Sequence, residues 1–162
     1  MVIRLFKTIC LICMVYALGA CSSAPSVQQL PIQSTENLLF KVEQQSPKSE
    51  ASLLAIQFTP HQWRWVQTDP LGAPIARLIL EKNGWKNDGF VMPNQQAQHL
   101  YSALATALNP TQPLFDFSGI EQTTSGQIYQ INGKEVWRIL QQKNQFQITL
   151  ADGSRWHIEL LE

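Results

Sequence analysis

Apolar and polar residues alternate along most of this 162-residue chain, and this alternation constrains the fold more than any other feature. A period of two places every second side chain on the same face of a β-strand, so each segment predicts a strand with one buried and one wet face. The clearest examples are residues 38–42, 54–58, 146–150 and 156–160. The chain is therefore predicted to be dominated by half-buried strands.

Three dipeptides predict tight hairpins between such strands: Asn83-Gly84, Asn132-Gly133 and Asp152-Gly153. Each can take the positive φ angles of a type I′ turn, which matches the twist of paired strands. The last has alternating segments on both sides, so the C-terminal third is predicted to be an antiparallel meander.

One stretch changes to helical spacing. From Asn94 to Leu108 apolar residues recur every three or four positions, after Pro93 and before Asn109-Pro110. This pattern predicts one amphipathic helix that ends ahead of the proline. Residues 110–127 predict a short helix or an irregular segment with an apolar plug at residues 114–117.

Strands, one helix and further strands predict an α+β fold, in which a curved antiparallel sheet forms an open half-barrel around a central helix. A sheet of roughly seven to nine strands is expected. Space that the helix leaves unfilled would be an apolar cavity. Nine side chains are predicted to face it. Alternation directs seven of them from the strands, Ile56, Phe58, Leu78, Leu80, Ile148, Trp156 and Ile158, and the helix contributes Leu100 and Leu104.

The first twenty residues have the pattern of a bacterial export signal. Arg4 and Lys7 precede an apolar run, 9–17, that is shorter than the roughly 20 residues needed to span a bilayer. The run ends in Leu18-Gly19-Ala20-Cys21, which closely resembles a lipobox. The resemblance implies cleavage before Cys21 and its acylation with fatty acids such as palmitate. A plain secretory signal with a chance cysteine, or a single anchoring helix, is the alternative.

Removal of this signal changes the charge and the cysteine content of the remainder. The whole chain has 12 basic and 12 acidic residues, and the signal takes two bases with it. The slightly acidic remainder has no basic excess for nucleic acid. Cys10 and Cys13 leave with the signal, so apart from Cys21 no thiol remains for a disulfide or a metal.

Residues 21–36 are rich in Ser, Gln and Pro, and this composition predicts a lipidated flexible tether ahead of a folded domain at 37–162. Ser22 follows the cysteine, where an Asp would be the usual signal for retention in the inner membrane. The predicted location is therefore the outer membrane, facing the periplasm.

Residues 68–72, Thr-Asp-Pro-Leu-Gly, lie between two strand patterns. Within this segment, residues 69–72 have Asp at the first, Pro at the second and Gly at the fourth position of a turn. This is the composition of a type I turn, which places Leu71 at the tip. Two orientations are open: an exposed leucine, or one folded back onto Trp65 or Ile75. Trp63 and Trp65 lie on one strand face with His61, where ordinary sheet packing and a cavity rim are both possible.

With this turn the sequence resembles LolB, the outer-membrane lipoprotein that receives lipoproteins from the periplasmic carrier LolA. The order of strands, turn, hairpin and helix from Leu53 to Leu108 is similar, and the specific motif is residues 68–72. The resemblance implies a LolA/LolB-like half-barrel over a cavity for acyl chains, and a protruding Leu71, flanked by Pro70 and Gly72, that acts in transfer to the membrane.

The expected partners are accordingly the outer membrane, an acyl-chain or lipoprotein cargo and a LolA-like carrier, with the protein itself a monomer. The chain is shorter than LolB, and the helical region after Asn109 is reduced. It is more similar to small LolB-like lipoproteins, some linked to aryl polyene clusters, which favours a specialised lipid cargo. The alternative is a structural or assembly lipoprotein that docks another envelope protein through its sheet.

Catalytic and metal-binding patterns are weak. The three histidines, His61, His99 and His157, are far apart and lack a partner at a ligand spacing. The chain contains no G-x-S-x-G motif and no Gly-rich phosphate loop. The sequence therefore predicts a protein that is not an enzyme and needs no cofactor.

Overall fold

The computed structural model describes residues 27–161, which form ten strands and one helix. The predicted export signal and Cys21 lie outside the described residues. The elements are β1 Asn37–Ser46, β2 Glu50–Phe58, β3 Gln62–Thr68, β4 Pro74–Glu81, β5 Gly84–Asn87, α1 Gln95–Leu108, β6 Gly119–Thr123, β7 Gly126–Ile131, β8 Lys134–Gln142, β9 Gln145–Leu150 and β10 Arg155–Leu161.

All ten strands belong to one antiparallel sheet in the order β5-β4-β3-β2-β1-β10-β9-β8-β7-β6. Two meanders, β1–β5 and β6–β10, are joined where β1 pairs with β10, for example Val42 opposite Ile158. Strands β5 and β6 each have one neighbour, so the sheet is not closed. The antiparallel sheet with one helix is confirmed, and the strand number exceeds the expected seven to nine.

The sheet bends around α1. In the strand order of the sheet, β5 and β8 are seven strand spacings apart, which would be about 34 Å in a flat sheet. A helix with its side chains is only about 10–12 Å wide. Yet the Trp85 indole of β5 donates to the Ser102 hydroxyl of α1 at 2.9 Å, and β8 and β9 also contact α1. Only a curved sheet can reach the same helix from both halves.

The helix-facing side of the sheet carries the core. All nine side chains predicted to face inward are buried, so alternation identified the correct face of each strand. They form one apolar cluster in which Leu100 and Leu104 of α1 are completely buried. Their role as the lining of a cavity stays a prediction.

The helix is less amphipathic than its sequence indicates. Asn94 caps its N-terminus by accepting from the Ala97 N–H at 3.0 Å, and every residue from Leu100 to Ala107 is buried. Ser102 and Thr106, whose hydroxyls would suit the polar face of an amphipathic helix, are inside. Their hydroxyls donate to carbonyls one turn earlier, so a small hydroxyl can be buried on a helix without an unsatisfied donor.

All three predicted dipeptides lie at hairpins, although Gly84 is already the first residue of β5, and only Asn132-Gly133 takes two positive φ angles, +52° and +71°. Among the described non-glycine residues only Asn132 and Lys143 have positive φ. The type I′ geometry predicted for Asn83-Gly84 and Asp152-Gly153 is therefore wrong. At the latter, the Asp152 carboxylate accepts from the N–H and hydroxyl of Ser154, which stabilises another turn.

Part of the predicted tether lies against the domain. Val27 forms a β-bridge with Phe115, and Gln28 N–H donates to the Leu114 carbonyl at 2.6 Å. Pro31 is buried, and Gln33 donates to the Asn109 side chain at 2.8 Å. Residues 27–33 thus cover the irregular 110–118 segment and the C-terminal end of α1, because their few apolar groups find partners there.

We expect Gly126→Ala to destabilise the domain more than Gly84→Ala. Both glycines have positive φ, which costs an alanine about 1–3 kcal/mol. An added Cβ at Gly126 would also lie 2.3 Å from the Ile139 carbonyl oxygen, whereas at Gly84 it meets nothing within 4 Å. Urea denaturation should show an additional loss of at least about 1 kcal/mol for Gly126→Ala. Equal losses would contradict the close approach of β7 and β8.

Candidate functional site

The Asp69–Ala73 turn between β3 and β4 forms a hydrogen-bonded platform for Leu71. Gly72 N–H donates to the Asp69 carbonyl at 3.0 Å, the three-residue step of a β-turn. The Asp69 carboxylate accepts from the N–H groups of Leu71 at 2.9 Å and Ala73 at 2.8 Å. Gly72 has φ +88°, a backbone conformation that residues with a side chain rarely adopt. The Asp-Pro-Leu-Gly sequence therefore fixes the backbone on both sides of Leu71.

Leu71 extends into solvent from this platform. Its side chain is 95% exposed, so it does not fold back onto Trp65, which is completely buried, or onto Ile75. The exposed orientation, one of the two left open by the sequence, is the correct one. Burying such a leucine in an apolar phase gains about 1.5–3 kcal/mol. An exposed leucine on a rigid turn is therefore a ready apolar contact point.

Beside the turn, a groove of about 450 Å³ opens between the ends of β2 and β3 and the N-terminal end of α1. Its walls combine apolar and polar side chains, and of the nine predicted inward residues only Trp156 reaches it. The lining residues are Gln44, Glu50, Ala51, Ser52, Gln67, Asp69, Pro70, Ile75, Asn94, Gln96, Ala97 and Trp156. The volume lies within the usual range of small-molecule sites.

A buried polar chain lies beneath this groove and contributes Ser52 and Gln67 to its lining. The Tyr101 hydroxyl donates to Gln67 Oε1 at 2.9 Å, Gln67 Nε2 donates to Ser52 Oγ at 2.7 Å, and Ser52 donates to the Val42 carbonyl at 3.3 Å. Burial raises the pKa of the Tyr101 hydroxyl, which keeps it a neutral donor. Sequence reasoning missed this chain, because three ordinary polar residues far apart in sequence give no signal.

A second apolar loop lies near the turn. Residues 88–94 connect β5 to α1 and carry Phe90, fully exposed, and Met92, 81% exposed. Val91, Met92 and Pro93 border a shallow recess shared with Pro74 and Ile75, the first residues after the Leu71 turn. These residues were also missed, because an apolar residue in a loop gives no periodic pattern.

The outer face of the sheet carries a shallow apolar depression of about 500 Å³. Leu161, Leu39, Ala55 and Val66 lie side by side across β10, β1, β2 and β3. Leu39 lies on the face predicted to be wet, and it is an apolar residue whose side chain is 41% exposed there.

The tryptophans of β3 belong to the core. Trp65 stacks on Tyr101 with ring centroids 5.1 Å apart, and Trp63 packs edge-on against Phe58 at 5.0 Å. Both indoles are buried, so ordinary sheet packing, not a cavity rim, describes this row. His61 lies outside β3 and is exposed.

Within residues 27–161 no cluster of three metal-ligating side chains occurs. Over the same residues, no helix has the length and apolar character required to cross a membrane. No protein-family model matches the chain, and no curated protein matches it.

We expect Asp69→Ala to loosen the Leu71 turn, because two backbone N–H groups lose their acceptor. Loss of such bonds costs about 0.5–1.5 kcal/mol each at most, and less where water replaces the acceptor. Amide hydrogen exchange at Leu71 and Ala73 should become faster. Asp69→Asn is the matched control, since it keeps Oδ1 as an acceptor. Unchanged exchange in Asp69→Ala would contradict the role of this carboxylate.

Proposed function

We propose that this protein is a LolB-like lipoprotein, anchored at the outer membrane through Cys21, that receives an acyl-bearing cargo and passes it to the membrane. The observation that carries the proposal is Leu71, 95% exposed on a turn fixed by Asp69 at the mouth of a groove. The half-barrel character of the open curved sheet and its order of elements give further support.

Leu71 contributes by entering the bilayer. A leucine side chain gains about 1.5–3 kcal/mol when it leaves water for an apolar phase. The turn is already ordered in the free protein, so little conformational entropy is lost at contact. The groove mouth is thereby held against the lipid surface, and an acyl chain can leave one apolar site for a larger one without crossing water.

The groove beside the turn is the entry site for the cargo. Pro70, Ile75 and Trp156 supply apolar walls for an acyl chain, and Gln67 and Ser52 supply polar groups for the ester or amide where the chain begins. Deeper entry between the sheet and α1 requires the helix to move, because Leu100 and Leu104 are already packed there.

The cargo class is a lipid or lipoprotein brought by a periplasmic carrier of the LolA kind. No group in the proposed step undergoes chemistry, so the protein acts by binding and release and is not an enzyme. The near-neutral charge of the chain suits this role, since an acyl chain offers no charge to attract.

Lipidation at Cys21 is the first prediction of this proposal. Mass spectrometry of the purified protein should find a chain that begins at Cys21 and carries fatty acids, and Cys21→Ala should abolish both the modification and the membrane fraction of the protein. Cys13→Ala is the control and should change neither. A mature chain that begins elsewhere and carries no acyl group would refute the anchor.

Transfer should depend on the apolar character of residue 71. In a fluorescence assay, protein loaded with a palmitoylated reporter peptide is mixed with phosphatidylethanolamine vesicles. We expect Leu71→Glu to slow transfer by about tenfold or more, because insertion of the leucine is lost. Loading should be unchanged. Leu71→Met, the conservative control, should transfer almost normally. Normal transfer by Leu71→Glu would remove the main support of the proposal.

A second candidate function is favoured by the outer-face row Leu161, Leu39, Ala55 and Val66. In this case the protein docks another envelope protein through its sheet, and the apolar row supplies the contact. A photo-crosslinking residue placed at Leu39 or at Leu71 distinguishes the two functions in cells. A protein adduct at Leu39 supports assembly, whereas a lipid adduct at Leu71 supports transfer.

A further inference from the structure

We propose that Phe90 and Met92 of the β5–α1 loop enter the lipid bilayer together with Leu71, so that the three side chains form an insertion rim beside the groove. The inference deepens the proposed function and rests on it for one point, the presence of a bilayer at this end of the molecule. Throughout, the insertion rim means Leu71, Phe90 and Met92.

The pairing of β4 and β5 brings the two loops to the same end. Asn87 pairs with Leu78, and Asp88 N–H donates to the Arg77 carbonyl at 3.0 Å. Beyond Asp88 the chain continues antiparallel to β4, toward its first residues and the Leu71 turn. Met92 accordingly borders the same recess as Pro74 and Ile75.

The second loop is also held by side-chain hydrogen bonds. Asp88 accepts from Arg64 at 2.6 Å and from Arg77 at 3.1 Å. Burial alone would raise the pKa of this carboxyl, but the two guanidinium groups outweigh it and lower the pKa. The Asn87 amide donates to the carbonyls of Gly89 and Val91. Phe90 is therefore exposed on an ordered backbone and not on a loose segment.

The charge of this surface indicates a lipid occupant. Residues 68–76 and 88–98 contain no Lys or Arg, and their acidic residues are only Asp69 and Asp88. Asp69 is satisfied by two backbone N–H groups and Asp88 by two arginines. These two segments combine strongly exposed apolar side chains with no unpaired charge, and Glu50 is the one charged residue of the groove lining that lies outside them. Such segments complement the hydrocarbon boundary of a bilayer, where unpaired charge is costly.

Three contact points do what one cannot. Leu71 alone leaves the domain free to rotate about it, whereas Leu71, Phe90 and Met92 define a plane. Because Ile75 and Asn94 border both the recess beneath the rim and the groove, this plane fixes how the groove mouth faces the lipid. Aromatic and thioether side chains suit the boundary, since both are bulky and apolar.

The test measures immersion of single positions in the full chain reconstituted in phosphatidylcholine vesicles. A cysteine replaces Phe90, Met92, Leu71 or Ile32 in a Cys10→Ala, Cys13→Ala background and carries an environment-sensitive fluorophore, with single labelling checked by mass spectrometry. Ile32 is the matched control, because it is 92% exposed and lies on the segment at the opposite end of α1.

We expect labels at 71, 90 and 92 to shift to shorter wavelength and to be quenched by doxyl lipids, with no such change at 32. High salt should not reverse the shift. In the chain labelled at 71, Phe90→Ser should lower the ratio of inserted to free rim by about tenfold, and Ile32→Ser should not. Circular dichroism verifies that each variant is folded.

Each other outcome counts against the proposal in a distinct way. Labels at 90 and 92 in water, with the label at 71 immersed, would overturn the rim and leave the proposed function standing. All three in water would overturn both. A fluorescence shift that needs anionic lipid would show that the rim binds a charged surface and not a neutral bilayer. A shift that grows with protein concentration in the absence of vesicles would show that the rim binds a second copy of this chain.

Discussion

The pairing of β1 with β10 is the interaction on which the rest of the structure depends. It joins residues 37–46 to residues 155–161, the two ends of the described domain, and turns two separate meanders into one sheet. Without it each meander would expose an apolar face and a long unpaired edge. With it, Phe40 and Val42 from one half and Ile158 from the other share one core beneath α1.

The helix completes this arrangement from inside. The curved sheet surrounds it on several sides, which explains why Ser102 and Thr106 are buried although their residue types suggested a wet face. The same curvature leaves the groove where α1 begins, because the sheet continues past Asn94 toward the Leu71 turn. The candidate site is thus a direct result of how the sheet bends and where the helix starts.

The sequence predicted what is periodic or local. Alternation identified the inward face of every tested strand, from Ile56 to Ile158, and the Asp-Pro-Leu-Gly composition placed Leu71 at the tip of a turn, because both effects act over a few residues. The structure decided between the two orientations of Leu71 that the sequence left open. The order of the two meanders, the Tyr101–Gln67–Ser52 chain and the position of Phe90 could not be predicted. They depend on strand pairing between distant residues, for which the individual segments carry no signal.

The docked segment at residues 27–33 limits how far the folded domain can lie from Cys21. Once Val27 is fixed on Phe115, only residues 22–26 lie between the folded surface and Cys21. The six steps along the chain from Cys21 to Val27 span at most about 20 Å even when fully extended. With the proposed anchor on Cys21, this short linker lets the domain rotate near the membrane but keeps it from crossing the periplasm. Under the proposed function, the carrier must therefore come to the bilayer, where the domain orients by rotation about its anchor.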